Sequence, residues 1–227
     1  MKAKWLHKNN SKKLIIFFNG WSLDENIVNH LQSQEYDVLM FFDYENLEIT
    51  EEILSQIRAY QQTYLIAWSF GVWALSETMD KFEKPSAAIA LNGTPIPIDN
   101  SLGIPQKIFD FTLSTLSERT YENFFRNMFW DFKDVFFKGL PKREIENQKQ
   151  ELAQIKHLSA VRENEHRNFC FDRVIISQHD KIIQAKNQMN YWQNEYQDGN
   201  CRISIIENSG HCVFYGFKTW GEIINYG

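Results

Sequence analysis

A chain of 227 residues is long enough for one α/β domain with an insertion, and its core needs no staples. The net charge of −5 argues against general nucleic-acid binding, which usually takes a basic domain. The three cysteines, Cys170, Cys201 and Cys212, are odd in number and form no C-x-x-C pair, so neither a disulfide framework nor a zinc site is indicated. Reduced thiols in the cytoplasm are the simplest expectation.

No apolar stretch approaches the ~20 residues needed to span a bilayer. The first apolar run, 14–18, is too short for a signal-peptide core, so no membrane association is expected. Aromatic residues make up 15% of the chain, and many lie between Phe109 and Phe137. Such a concentration suggests an apolar pocket or packing surface in that segment.

Leu14-Ile15-Ile16-Phe17-Phe18 reads as a strand buried on both faces of a parallel sheet. Asn19-Gly20-Trp21-Ser22 follows as a turn, and 24–31 reads as a short helix. A second strand is expected over 37–42. Thr50 is a candidate N-cap for a helix reaching about Tyr60, with acids in its first turn. The third strand is 64–68, continued by a helix to about Phe82, and the fourth is 87–92. Strands alternating with helices imply βαβ units with helices on both faces of the sheet.

From 98 to 168 there is no clear strand. Helical pieces are expected over 106–116, 118–129 and 141–162, with Pro141 in a first helical turn. The insertion leaves the sheet after the fourth strand, at the edge where open α/β sheets bind ligands, so it is expected to form a cap. The sheet resumes at 171–177, followed by a loop, a helix over 184–196 and a last strand at 203–206. A helix over 217–225 closes the chain. The expected organisation is a core of residues 1–97 and 169–227 with a helical cap of residues 98–168.

The chemistry centres on Ala67-Trp68-Ser69-Phe70-Gly71. A serine between a buried strand and a helix stands at the place of a nucleophile elbow, with Ala67 where the first glycine of G-x-S-x-G usually is. Such a serine needs an acid and a histidine on later loops at strand C-terminal ends. Asp180 follows one expected strand and His211 the next. The histidine would move the serine proton, and the aspartate would hold the imidazole and stabilise its charged form. Taken singly, Asp180 reads equally well as a turn aspartate and His211 as a loop histidine; their order after Ser69 favours the triad. His179 is the rival histidine and Asp43 the rival acid. The oxyanion hole would use the backbone N–H groups of Phe70 and Trp21, with Gly20 allowing a backbone turn that aims the latter inward. No phosphate loop, dinucleotide fingerprint or metal spacing is present, so no cofactor and no metal are expected.

These residues define the expected class as α/β, with an α/β-hydrolase fold: a mostly parallel sheet flanked by helices, with the cap after the fourth predicted strand. Phe18-Asn19-Gly20-Trp21, Ala67-Trp68-Ser69-Phe70-Gly71, Asp180 and Asn208-Ser209-Gly210-His211 resemble the BioG-type pimeloyl-[acyl-carrier protein] methyl ester esterases of biotin synthesis, over the whole chain. Trp68 and the Gly20-Trp21 turn are also similar to BioH-type esterases. The resemblance implies a serine esterase that releases methanol from pimeloyl-acyl carrier protein methyl ester. It carries the triad onto Ser69, Asp180 and His211 and the oxyanion donors onto Trp21 and Phe70. It implies acyl carrier protein as partner, with no nucleic acid and no membrane, and a cytoplasmic monomer is expected.

An acyl channel could draw on Phe125, Phe129 and Trp130, among other cap aromatics. Same-face spacing at Phe125 and Phe129 equally fits a packing stripe. Arg126, Lys142, Arg143 and Arg162 could form a basic patch for the acidic carrier, or belong to a solvated helix face. Two alternatives remain: a general carboxylesterase or acyl thioesterase, and a non-catalytic module that binds the carrier or an apolar ligand.

Overall fold

The computed structural model describes residues 1–129, 139–161, 171–195 and 201–227. Its centre is a seven-stranded sheet of β1 (Lys2–His7), β2 (Lys13–Phe18), β3 (Asp37–Phe42), β4 (Gln62–Trp68), β5 (Ala87–Leu91), β6 (Arg173–Ser177) and β7 (Arg202–Ile206). Their spatial order is β1-β3-β2-β4-β5-β6-β7. β1 runs antiparallel to β3, and every other pairing is parallel. The apolar runs that read as buried strands are the central ones: Leu14 to Phe18 in β2 and Ala88 to Leu91 in β5 are fully buried.

β1 is absent from the sequence expectation. It is an edge strand whose first residues are exposed, with lysines at positions 2 and 4. Edge strands use such charges to discourage further pairing, and the same charges hide the strand from a hydrophobicity reading.

The helices are α1 (Glu51–Arg58), α2 (Phe70–Thr78), α3 (Gln106–Thr115), α4 (Glu118–Asn127), α5 (Ile145–Val161), α6 (Ala185–Glu195) and α7 (Trp220–Ile224). Thr50 caps α1 as expected, its side chain accepting from the Ile53 amide. α2 is apolar all round and buried along nearly its whole length, as a helix wedged between sheet and outer layers must be. α3, α4 and α5 all fall between β5 and β6.

Three expected helices are shortened. Residues 24–31 contain only a short 3-10 turn, Glu25–Ile27, which Asp24 caps by accepting from the Asn26 amide. Pro141 is not in a helical turn: α5 starts at Ile145, and the Lys142 amide is held by the Asp24 carboxylate at 2.7 Å. The last helix begins only at Trp220, where Thr219 and Glu222 form a capping box.

Parallel pairing puts the C-terminal ends of β2, β4, β5, β6 and β7 on one edge. From β2 the chain steps outward to β3, then crosses to β4 on the other side of β2. The turns after β2 and β4 therefore open at the topological switch point, the expected place for a ligand crevice.

Candidate active site

Ser69 occupies the turn between β4 and α2 with φ 58° and ψ −126°. A non-glycine residue there costs roughly 1–3 kcal/mol and must be held by its surroundings. Its N–H donates to the Leu91 carbonyl at 3.0 Å, and its carbonyl accepts from the Val72 N–H at 3.0 Å. Gly71 makes the turn possible, since a Cβ there would lie 2.2 Å from the Phe18 carbonyl oxygen. Ala67 is fully buried between Phe18 and Ala90 of the neighbouring strands.

His211 bridges Ser69 and Asp180. Its Nε2 lies 2.9 Å from Ser69 Oγ and its Nδ1 lies 2.8 Å from Asp180 Oδ2. All three side chains are buried. Asp180 Oδ1 accepts from the Ile182 and Ile183 amides at 2.8 and 3.0 Å, and Oδ2 also accepts from Gln188 Nε2 at 2.9 Å. A carboxylate so supplied with donors is fixed in direction. The rival residues stand elsewhere in the network. Asp43 pairs with Lys2 and Arg143, and the His179 N–H donates to the Ser209 carbonyl.

Two residues that position His211 were missed as site residues. Its carbonyl accepts from Trp68 Nε1 at 2.9 Å and from Asn92 Nδ2 at 2.8 Å. Asn92 is buried, has φ 43°, and its Oδ1 accepts from the Ser177 N–H at 2.7 Å. It thus ties the ends of β5 and β6 to the histidine loop. The available signal was an asparagine directly before glycine at a strand end, which tolerates the left-handed region.

Trp21 and Phe70 both border the cavity beside Ser69. The Gly20 φ is not positive, so any residue could adopt its backbone conformation. Its lack of a side chain serves close approach instead: a Cβ would meet the Trp68 ring at 3.2 Å and Ser69 Cβ at 3.4 Å. Trp21 Nε1 donates to the Gln148 carbonyl on α5 at 2.7 Å, and its ring stands edge-on to Phe124, with centroids 5.1 Å apart.

The cavity holds about 310 Å³, within the size range of small-ligand pockets. Its inner wall is apolar, with Leu23, Phe109, Met128 and Leu152 near Ser69 and His211. Its mouth carries the exposed Ile108 and Phe111 together with Asn123, Asn127 and Lys181.

The residues offered for substrate divide. Phe125 on α4 and Phe129 just beyond its end pack away from the cavity, against each other and against Tyr121 and Tyr215. Phe124 and Met128 line the cavity instead. The Arg143 side chain is not on the open surface: only 9% exposed, it lies between Asp43, at 3.1 Å, and Glu151, at 2.6 Å. Arg126 pairs with Glu122 along α4, and Lys142 is exposed. Trp130 and Arg162 lie outside the described residues.

A buried Ser–His–Asp relay at the carboxyl edge of a mostly parallel sheet, opening on an apolar cavity, defines an α/β hydrolase of the serine-esterase class. The family model described as pimeloyl-ACP methyl esterase BioG matches residues 1–223, and the chain belongs to that family. It is 30% identical to the crystal structure of BioG from Haemophilus influenzae, with a TM-score of 0.86 over 98% of this chain and 99% of that one. An esterase from Exiguobacterium antarcticum, 13% identical, shares the fold with a TM-score of 0.66 over 95% and 89% of the two chains. A Bacteroides fragilis protein named malonyl-[acyl-carrier protein] O-methyltransferase is 36% identical over 193 residues, 82% of this chain. The chain spans only 38% of that protein's length.

Proposed function

We propose that this esterase hydrolyses the methyl ester of pimeloyl-acyl carrier protein, releasing methanol and the free carboxylate, with Ser69 as nucleophile. His211 Nε2 takes the Ser69 proton as Oγ attacks the ester carbonyl carbon. The charge that develops on the carbonyl oxygen is received by the Trp21 and Phe70 amides. As the tetrahedral intermediate collapses, His211 returns the proton to the departing methoxide and an acyl-Ser69 remains. Water then attacks the acyl carbon, His211 accepts its proton, and Ser69 leaves re-protonated. Asp180 holds the imidazole in the required tautomer throughout.

The observation that carries this reading is the bridge of His211 between Ser69 Oγ, at 2.9 Å, and Asp180 Oδ2, at 2.8 Å. α3, α4 and α5 act as the cap, and the apolar inner cavity takes the acyl chain. The carrier docks at the cavity mouth, where Lys181 stands, with Lys142 and Arg126 as further exposed cations. In this reading the enzyme works in the cytoplasm, as a monomer, and uses no cofactor.

The test is to incubate the protein with pimeloyl-acyl carrier protein methyl ester and resolve the products by mass. Loss of the methyl group with the thioester intact is expected. Release of free carrier thiol would instead identify a thioesterase, and an unchanged substrate would leave a binding module.

A further inference from the structure

Glu151 is a fully buried carboxylate on α5, far in sequence from two of the three residues it holds, Ser22 and Tyr44. Its Oε2 accepts from Arg143 at 2.6 Å and from the Ser22 N–H at 3.2 Å. Its Oε1 accepts from the Tyr44 N–H at 2.9 Å. Burying a carboxylate is costly, and burial pushes this carboxyl above the usual carboxylate range against the pull of Arg143 and the Tyr44 amide. A packing role alone would be served better by an apolar residue. What a carboxylate offers here is acceptors for donors from three separate segments.

Ser22 directly follows Trp21, and its φ of 70° marks a sharply turned backbone. The groups around the Trp21 amide are fixed on both sides. The Gly20 N–H donates to Asn19 Oδ1 at 2.9 Å, and the Asn19 carbonyl accepts from the Tyr44 hydroxyl at 2.6 Å. On the other side stand the Ser22–Glu151 bond and the Trp21 indole bond to the Gln148 carbonyl, one turn earlier on α5. The peptide carrying the Trp21 N–H is therefore held between two anchors, and α5 supplies the second.

We propose that Glu151 is the positioning residue of the oxyanion hole: by holding the Ser22 amide it sets the direction of the Trp21 amide toward Ser69. The inference rests on the reading of Trp21 as an oxyanion donor. It makes α5 part of the catalytic apparatus, because the helix that walls the cavity through Leu152 also aims the donor.

Glu151→Gln tests it with little change of shape. The new NH₂ group must face either the Ser22 N–H and Arg143, which breaks the bond to Ser22, or the Tyr44 N–H, whose clash pushes the side chain off its present position. The readouts are kcat and KM for the carrier-bound methyl ester, affinity for a trifluoromethyl ketone whose adduct with Ser69 needs the oxyanion hole, and affinity for the carrier-bound acid product, which does not. The expected result is a kcat lower by about 10- to 100-fold, since small misplacements of catalytic groups cost on that scale. Ketone affinity should fall by a similar factor, while KM and product affinity hold.

Wild-type kcat and ketone affinity in Glu151→Gln would overturn the inference. So would an equal loss of product affinity, which marks general disruption. If that variant fails to fold, Trp21→Phe decides, since it cuts the other bond from α5 to the same loop: the same split between kcat and KM supports the inference, and an unchanged kcat overturns it. A wild-type protein that the ketone does not inhibit would overturn the reading of the site, and this inference with it.

Discussion

The indole of Trp68 donates to the carbonyl of His211 at 2.9 Å, so the residue before Ser69 holds the loop that carries His211. The two rings also lie 5.2 Å apart at a 38° tilt. Ser69 and His211 are thereby coupled twice, once through Oγ and Nε2 and once through Trp68 and the His211 carbonyl. Trp68→Phe keeps the packing and removes the donor. With Asn92 still in place, kcat should fall by about 3- to 10-fold, the worth of one net hydrogen bond, with KM unchanged. Steady-state kinetics on the methyl ester check this.

Asn92 holds the same carbonyl and the Ser177 backbone from a left-handed conformation. Asn92→Ala removes its hydrogen bonds and leaves a buried donor and acceptors unpaired, so it should cost stability as well as rate. A loss of about 1–3 kcal/mol in a denaturant titration is expected.

The register of α4 gives a paired test. Phe125 is fully buried in the core, whereas the neighbouring Phe124 borders the cavity. Phe125→Ala should cost about 3–5 kcal/mol of stability. Phe124→Ala should leave stability nearly intact and lower kcat/KM for the acyl substrate by about 10-fold or more. The reverse pattern would place the acyl chain on the other stripe.

Asp37 gives the fold a pH dependence away from the site. Burial alone would raise its carboxyl, but hydrogen bonds from the Tyr60 hydroxyl at 2.6 Å and from the Asn9 and Ser11 amides outweigh that and lower it. A carboxyl depressed in the folded state contributes stability above its ordinary range, and that contribution is lost as pH falls through the folded value. Asp37→Asn should lower Tm at neutral pH and narrow the gap to wild type as the pH falls below the carboxylate range. Thermal melts across an acid series measure it.

Much of this was legible because parallel strands buried on both faces announce themselves as apolar runs, and because Ser69 and Asp180 each follow one while His211 follows the shorter, half-exposed edge strand β7. The edge strand β1 was not legible, since its lysines break the apolar pattern. Nor was the choice between Phe124 and Phe125: α4 has two adjacent apolar stripes, and only packing shows which one meets the cavity. Arg143 looked like a surface cation because its partners Asp43 and Glu151 are distant or differently placed on the chain. The residues that hold the Asp180 carboxylate, the His211 carbonyl and the Ser22 amide, namely Gln188, Trp68, Asn92 and Glu151, do so through side-chain bonds that sequence spacing does not reveal.

Methanol release from pimeloyl-acyl carrier protein methyl ester by wild type and by Ser69→Ala tests the central claim most directly. The account predicts turnover by wild type and none above background for a folded Ser69→Ala, since loss of the nucleophile costs ~10⁶ in kcat in a comparable serine hydrolase. Residual activity within about tenfold of wild type would contradict it, because the reaction would then not pass through Ser69.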